Sequence, residues 1–224
     1  MTALTSDQTK AECDVRNNAI VSDVITTHIP ERIVSEIANW PENLPVSAKS
    51  LLHLGTRAAV DQALSRLSRR GQLLRVGRGL YVRPVQTRFG VRAPEVSTVL
   101  EAVQKETGEI IAPSGAATAN QLGLTTQVPL RPVYLTSGRK RQLRLGAQTI
   151  ELQHAPNWLL TLAERPAGAV IRALAWGGRE RSQSLLAQLR SKLSPATIQE
   201  LAQVRNRVPT WMAQELSSLV ATRA

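Results

Sequence analysis

Cysteine is nearly absent from this chain of 224 residues, which contains Cys13 alone. One cysteine cannot form an internal disulfide, and this usage suits a reducing compartment, so we expect a cytoplasmic protein. Aromatic residues make up only 3% of the chain, so its cores must be built from leucine, valine, isoleucine and alanine. No apolar run is long enough to cross a membrane, and the N-terminus lacks the apolar core of a signal peptide. These absences argue against a disulfide-stabilised, secreted or membrane-spanning protein.

The residue sets that usually carry catalysis or hold metals are also missing. The three histidines, His28, His53 and His154, are far apart and lack the spacing of metal ligands. Cys13 lies between acidic residues, which disfavours a reactive thiolate. The sequence shows neither a nucleophile paired with a base nor a pair of catalytic carboxylates. We therefore expect no enzyme, no cofactor and no metal site.

Acidic residues are scarce where basic residues are dense. The chain has a formal net charge of +11 and a pI of about 11.1. Residues 47–92 contain ten basic side chains and a single acid, Asp61, and residues 131–144 contain five basic side chains and no acid. A run of charge is often only a solvated surface. Here the first run coincides with a DNA-binding pattern, which predicts a polyanionic partner.

Residues 46–82 have the pattern of a helix-turn-helix. A short helix is predicted at Ser47–His53, and Gly55 ends it. Thr56 can cap a second helix, which we expect to reach Arg70. The apolar residues of this helix recur at helical spacing on one side: Val60, Leu64 and Leu67. The opposite side is polar and is available to a partner.

Two predicted strands and a basic turn follow the second helix. The strands are expected at Gln72–Val76 and Leu80–Arg83, with Gly77-Arg78-Gly79 as the turn between them. A helix within residues 31–40 would precede the whole pattern and cover its apolar stripe. This order of elements is that of a winged helix-turn-helix. In such a domain the second helix enters the major groove and the wing contacts phosphates or the minor groove.

The predicted DNA contacts divide by their position in this domain. Gln62 suits a bidentate contact with adenine and Arg57 one with guanine, because both lie early in the second helix. Arginines later in the helix and on the wing are expected to hold phosphates. Tyr81 is expected to pack beneath the wing. The full predicted set is Lys49, Thr56, Arg57, Ala58, Gln62, Arg66, Arg69, Arg70, Arg75, Arg78, Arg83 and Arg88.

The chain as a whole predicts an α+β fold. Residues 1–29 are polar and without sustained periodicity, as in a mobile tail. Residues 30–84 would form the winged helix-turn-helix, and residues 85–94, which prolines flank, an extended linker. Residues 95–224 would form a mixed α/β domain ending in several helices. Its predicted elements are helices at 95–107, ended by Gly108, and at 116–122, strands at 109–112 and 132–136, a hairpin of alternating polar and apolar residues at 141–145 and 148–153, and helices from residue 157 onward, among them one at 166–176 that Gly177-Gly178 ends and one at 180–193.

The sequence resembles the AbiEi-type antitoxins of type IV toxin–antitoxin systems over about residues 30–205. The resemblance lies in RRGQLLRVGRGLYVRP, in IAPSGAATANQLGLTTQVP and in PVYLTSGRKRQLRLG, and the order of the last two is its most specific part. It implies an N-terminal domain that binds inverted repeats in its own promoter, with self-association on the DNA. It also implies a C-terminal domain that counteracts a nucleotidyltransferase-like toxin. The acidic N-terminal tail and the long helical C-terminus depart from that family's pattern.

A second hypothesis keeps the DNA-binding domain but assigns a different function to the C-terminal half. The protein would then be a DNA-targeting accessory subunit or a stand-alone transcriptional regulator whose C-terminal half also contacts nucleic acid. The residues that favour this reading form a basic cluster: Arg139, Lys140, Arg141 and Arg144. The same cluster is also typical of a partner contact or of a solvated hairpin face.

Overall fold

The computed structural model describes residues 28–41, 44–88 and 90–221. The tail predicted at residues 1–29 lies almost wholly outside these described residues, and so does Cys13. The chain divides into two compact units, with the boundary between Val99 and Leu100. Both helices and strands are present in quantity, which confirms the α+β class. Within the described residues, the helices are too short or too polar to span a membrane.

The N-terminal unit begins with helices and a three-stranded antiparallel sheet. Its elements are α1 (Ile29–Ala38), β1 (Val46–Ser47), a 3-10 helix (Lys49–Leu54), α2 (Arg57–Arg69), β2 (Leu74–Gly77) and β3 (Leu80–Val82). The strands lie in the order β1-β3-β2. Thr56 caps α2 as predicted, because its Oγ1 accepts a hydrogen bond from the Ala59 amide at 3.3 Å. Gly71 has φ of +74°, a geometry that ends the helix.

One hydrophobic core holds these elements together. The predicted stripe of α2 is buried, and Ile33 and Ile37 of α1 pack in the same cluster. Leu51 from the 3-10 helix and Leu73 before β2 complete it. Tyr81 belongs to this core and is only 4% exposed, which confirms its predicted packing role. The burial leaves the other side of α2 to solvent.

The helix predicted at Ser47–His53 is wrong in type and start. Ser47 pairs with Leu80 as part of β1, and a 3-10 helix begins only at Lys49. The sheet pairing is a long-range interaction that overrides local helix propensity. With three residues per turn in the 3-10 helix, Leu51 and Leu54 share the buried side.

The linker predicted at residues 85–94 is instead a hairpin. Strands β4 (Val85–Thr87) and β5 (Gly90–Arg92) pair antiparallel in a separate two-stranded sheet. The Thr87 hydroxyl donates to the Gly90 carbonyl at 2.7 Å, and Gly90 takes φ of +109° at the turn. The prolines that suggested a linker lie just outside the paired residues, so they remove no hydrogen bond from this sheet.

The C-terminal unit combines a four-stranded sheet with helices. Helix α3 crosses the unit boundary. The elements are α3 (Val96–Thr107), β6 (Ile111–Pro113), α4 (Gly115–Gln121), β7 (Val133–Thr136), β8 (Arg141–Leu145), β9 (Gln148–His154), α5 (Asn157–Leu160), α6 (Pro166–Leu189), α7 (Pro195–Gln203), a 3-10 helix (Arg205–Arg207) and α8 (Thr210–Ala221). The sheet order is β6-β7-β9-β8, and only the β7–β9 pair is parallel. The predicted strands and helices are thus present with small shifts at their ends.

Helix α6 organises the rest of this unit. Leucines of its second half pack with α7 and α8 in one apolar cluster. Gly178 has φ of +72° and ψ of 174°, so it breaks α6 where the sequence predicts one helix to end and another to begin. Near its start α6 is crossed by α4 at Gly115, where a Cβ would lie 2.5 Å from the Arg172 carbonyl oxygen. A glycine at this position therefore permits the close crossing of the two helices.

Candidate nucleic-acid interface

The exposed side of α2 and the β2–β3 hairpin enclose a groove of about 500 Å³. Arg57, Asp61 and Ser65 line it from α2, where their spacing of four residues places them in one row. Arg75 and Arg78 line it from the hairpin, together with Gly79 and Tyr81. Two elements that the sequence predicted as DNA-contacting therefore meet along one groove.

Most predicted phosphate contacts of this unit are open to solvent. They make no ion pair with an acid in the part of the chain that the structure describes: Lys49, Arg66, Arg69, Arg70 and Arg78. Unpaired exposed guanidinium groups are the usual ligands of DNA phosphates. Arg75 is exposed too, and its Nε donates to the Gly77 carbonyl at 3.4 Å along the hairpin. Arg88 lies next to β4, outside the groove.

The predicted base-reading residues also lie on the surface. Thr56, Ala58 and Gln62 are exposed at the N-terminal half of α2. Arg57 is exposed as well, but its Nε donates to the Asp61 carboxylate at 3.0 Å. This pair is 64% and 46% exposed, so it is worth only about 0.3–0.5 kcal/mol. Such a weak pair orients the Arg57 side chain, but a stronger ligand can displace Asp61 and bind the guanidinium.

Arg83, another predicted DNA contact, is not among the residues that line this groove. Its Nη2 donates to the Trp40 carbonyl at 2.5 Å and its Nη1 to the Ala38 carbonyl at 3.4 Å. Ala38 is the last residue of α1 and Trp40 lies two residues beyond it, and the last carbonyls of a helix have no partner within the helix. Arg83 therefore caps α1. No local pattern predicts this role, since the partners are more than forty residues away in sequence.

Two of the four residues in the basic cluster predicted in the C-terminal half form ion pairs. Arg141 forms a two-point ion pair with Glu109, with N–O distances of 2.7 and 3.0 Å. The same carboxylate accepts a hydrogen bond from Thr136 at 2.9 Å. Lys140 lies 3.4 Å from Glu151, whose carboxyl pKa is lowered by a hydrogen bond from Gln153 and, to a smaller extent, by Lys140. Arg141 is thus a structural residue of the sheet rather than a free contact.

Arg139 and Arg144 are the two members of that cluster that stay exposed without an ion-pair partner among the described acids.

The described histidines do not form a metal site. His154, at the end of β9, hydrogen-bonds the Gly138 carbonyl through Nδ1 at 2.8 Å. His53 lies 3.7 Å from Glu36. Within residues 28–41, 44–88 and 90–221 no three His, Cys, Asp or Glu side chains are grouped as metal ligands would be.

The sequence did not predict one buried arginine that has the features of a functional residue. Arg172 on α6 is only 2% exposed, and burial lowers its pKa to about 10, so it remains charged at neutral pH. Its Nη2 donates to the Ala163 carbonyl at 3.0 Å, while Nε and Nη1 are buried without a partner. The sequence feature that could have indicated this residue is its position in the apolar stretch AVIRALA, where a charged side chain is unusual.

Comparison with known proteins gives a family but no function. No curated protein matches the chain. Among solved structures, the crystal structure of the RV2827C protein from Mycobacterium tuberculosis is similar, at 17% identity and a TM-score of 0.39. That similarity covers 86% of this chain and 71% of the other. Residues 32–199 match the model of DUF6088, described as a family of unknown function, and because this match covers most of the sequence, the chain belongs to the DUF6088 family.

Proposed function

We propose that residues 29–82 form a winged helix-turn-helix that binds double-stranded DNA. The observation that carries this proposal is the groove between α2 and the β2–β3 hairpin, lined by Arg57, Arg75 and Arg78. An exposed helix beside a cationic hairpin matches the two parts that such domains place on a duplex. Among the described residues that line the groove the one acid is Asp61, and it is already paired with Arg57. A duplex phosphate chain is the polyanion that this row of cations suits.

The roles within this interface follow from position along α2. Ala58 and Gln62 lie near the start of the helix, the end that contacts base edges in a helix-turn-helix. Arg66 and Arg69 lie one to two turns later on the same exposed side. We assign the first pair to base recognition and the second pair to phosphates, with Arg78 holding phosphates from the wing.

The biological role that we propose rests on the resemblance to AbiEi-type antitoxins. The protein would repress its own toxin–antitoxin operon by binding inverted repeats in the promoter, and it would counteract a nucleotidyltransferase-like toxin. Inverted repeats imply two copies of the chain on one operator, because each half-site takes one recognition helix. The proposal therefore includes self-association on DNA.

DNA binding is tested with a labelled duplex carrying the sequence upstream of the gene. We expect the full chain to bind this duplex more tightly than a scrambled duplex of the same composition, and both affinities to fall steeply with salt. The double variant Arg66→Ala, Arg69→Ala should weaken binding to both duplexes. Failure of the chain to bind either duplex at low salt would refute the proposal.

The antitoxin role is tested by coexpression with the product of a neighbouring nucleotidyltransferase-like gene, with growth as the readout. We expect the full chain to restore growth. The Arg66→Ala, Arg69→Ala variant should restore growth as well while losing repression of a promoter reporter, because the two activities would reside in different units. No restoration by the full chain would remove the antitoxin role and leave DNA binding standing.

A stand-alone regulator or accessory subunit whose C-terminal half also contacts nucleic acid is the second candidate. It is favoured by Arg139 and Arg144, which are exposed and have no ion-pair partner among the described acids. The double variant Arg139→Ala, Arg144→Ala should then shorten the protected region in a footprinting experiment. An unchanged footprint would rule out this second candidate, and the first candidate would then be the one that remains.

A further inference from the structure

Arg172 lies at the wall of an open cavity in the C-terminal unit. The cavity has a volume of about 310 Å³ and lies among β6, α4, the start of α6 and the segment before it. Ala163, whose carbonyl accepts the one hydrogen bond of Arg172, lines the same cavity. Arg172 is itself one of the residues that line the cavity.

A buried charge in this state is costly to the fold. Nε and Nη1 of Arg172 have lost contact with water and have gained no acceptor from the protein. Buried polar groups in proteins are nearly always hydrogen-bonded, and a buried charge is nearly always paired. A leucine or methionine would fill the apolar stretch of α6 without that cost. The buried donors of Arg172 therefore lack acceptors that a bound anion could supply.

The surroundings of the cavity define the charge of that partner. Arg165 at the rim is already paired with Glu200 at 2.7 Å, so it adds little net charge. Glu164, also at the rim, is exposed and adds a negative charge. Arg172 is then the one cation without an ion-pair partner among the lining residues of this cavity. Glu164 offsets its charge in the count and repels every further negative charge, so a monoanion is favoured over a dianion.

The other walls define the body of the partner. Ile111, Pro113, Pro166 and Ala169 give them apolar surface. Thr118 also lines the cavity, but its hydroxyl already donates to backbone carbonyls of the preceding turn. The volume is at the small end of the range of ligand pockets. These walls suit a compact apolar group attached to the charged end.

We propose that this cavity binds a small organic monocarboxylate with an apolar body, and that the Arg172 side chain shifts on binding so that its buried, unpartnered nitrogens donate to the carboxylate. Arginine and carboxylate form short, charge-assisted hydrogen bonds, the strongest that side chains make. The inference concerns the C-terminal unit alone and does not rest on the proposed DNA binding.

The test uses the purified full chain and measures its thermal midpoint with sodium benzoate and sodium hexanoate as probes. Both should raise the midpoint in a saturable manner, because a ligand that binds the folded state stabilises it. Benzamide is the matched uncharged control and should have little effect. Sodium phosphate and sodium chloride at the same ionic strength should not reproduce the shift.

Variants then locate the site by calorimetry. Arg172→Met keeps the apolar stem but removes the charge, and should weaken benzoate binding by about 10- to 100-fold. Ala169→Leu keeps the charge but fills the cavity from α6, and it tests the site should the first variant fail to fold; it should also weaken binding. Glu164→Gln removes the negative rim charge and should leave binding equal or tighter.

Three results would overturn the inference. Benzamide could stabilise the chain as well as benzoate does, which would show that Arg172 is not used. No carboxylate could stabilise the chain beyond the effect of chloride. Benzoate could bind a folded Ala169→Leu variant as tightly as the natural chain, which would place its site elsewhere.

Discussion

Replacing Arg78 with alanine should weaken DNA binding on every sequence alike. Arg78 is exposed at the turn of the β2–β3 hairpin and faces the groove beside α2. Gly79 carries the positive φ that the turn needs, so the substitution removes a charge while leaving the turn geometry in place. We therefore expect the hairpin to survive and only its electrostatic contact with the duplex to be lost.

The salt dependence of affinity gives the size of this effect. Each phosphate that a protein neutralises adds about 0.9 to the slope of log affinity against log salt, because condensed counterions are released. Loss of one contact should therefore reduce the slope by about 0.9. Between 50 and 200 mM salt, a fourfold change, the ratio of natural to variant affinity should shrink by roughly 3.5-fold. The deficit of the variant is thus greatest in dilute buffer.

Fluorescence anisotropy on the upstream duplex and on its scrambled form measures both slopes. Arg205→Ala is the matched control, because Arg205 is an exposed arginine of the C-terminal unit and its removal changes the net charge equally. The control should keep the natural slope. If Arg78→Ala and Arg205→Ala showed the same slope, the hairpin would not contact phosphate and the groove would lose its proposed role.

Three further variants test separate parts of the reasoning. Gln62→Ala should relax preference at a single base pair at a cost of about 1–3 kcal/mol, and an equal loss on all sequences would move Gln62 out of base recognition. Arg83→Met should lower the free energy of unfolding by about 1–3 kcal/mol in a urea titration while the salt slope of DNA binding stays natural, because Arg83 caps α1. Gly115→Ala should lower the free energy of unfolding by about 1–3 kcal/mol, because the new Cβ would lie 2.5 Å from the Arg172 carbonyl oxygen. An unchanged urea midpoint would contradict the close crossing of α4 and α6.

Elements defined by local signals could be predicted from the sequence. Thr56 caps α2, Gly71 and Gly108 have the positive φ expected where helices end, and Gly178 breaks α6 at the predicted point. The β8–β9 hairpin pairs as its alternation predicts. In each case the residue that sets the geometry lies within the element or next to it. The information needed is then available within a few residues of sequence.

Elements defined by distant partners could not be predicted in the same way. Ser47 joins a strand because Leu80, 33 positions later, pairs with it. The hairpin after Pro84 was missed for a different reason: Val85 pairs with Arg92 only seven positions later, but the flanking prolines are typical of linkers and favour that interpretation. Helix periodicity and proline positions report local preferences only. A pairing partner elsewhere in the chain then decides between states that those preferences leave open.

Arginine shows most clearly which part of a binding surface a sequence can specify. On α2 the apolar stripe fixes the rotation of the helix, so the exposure of Arg66 and Arg69 follows from their positions. Arg83 follows a strand and reaches carbonyls of α1, and no periodicity encodes that reach. Arg172 lies in a part of α6 that is buried almost all around, where no polar side exists to predict. A count of basic residues therefore predicts exposed cations well on amphipathic helices, but it overstates them where guanidinium groups find acceptors within the protein.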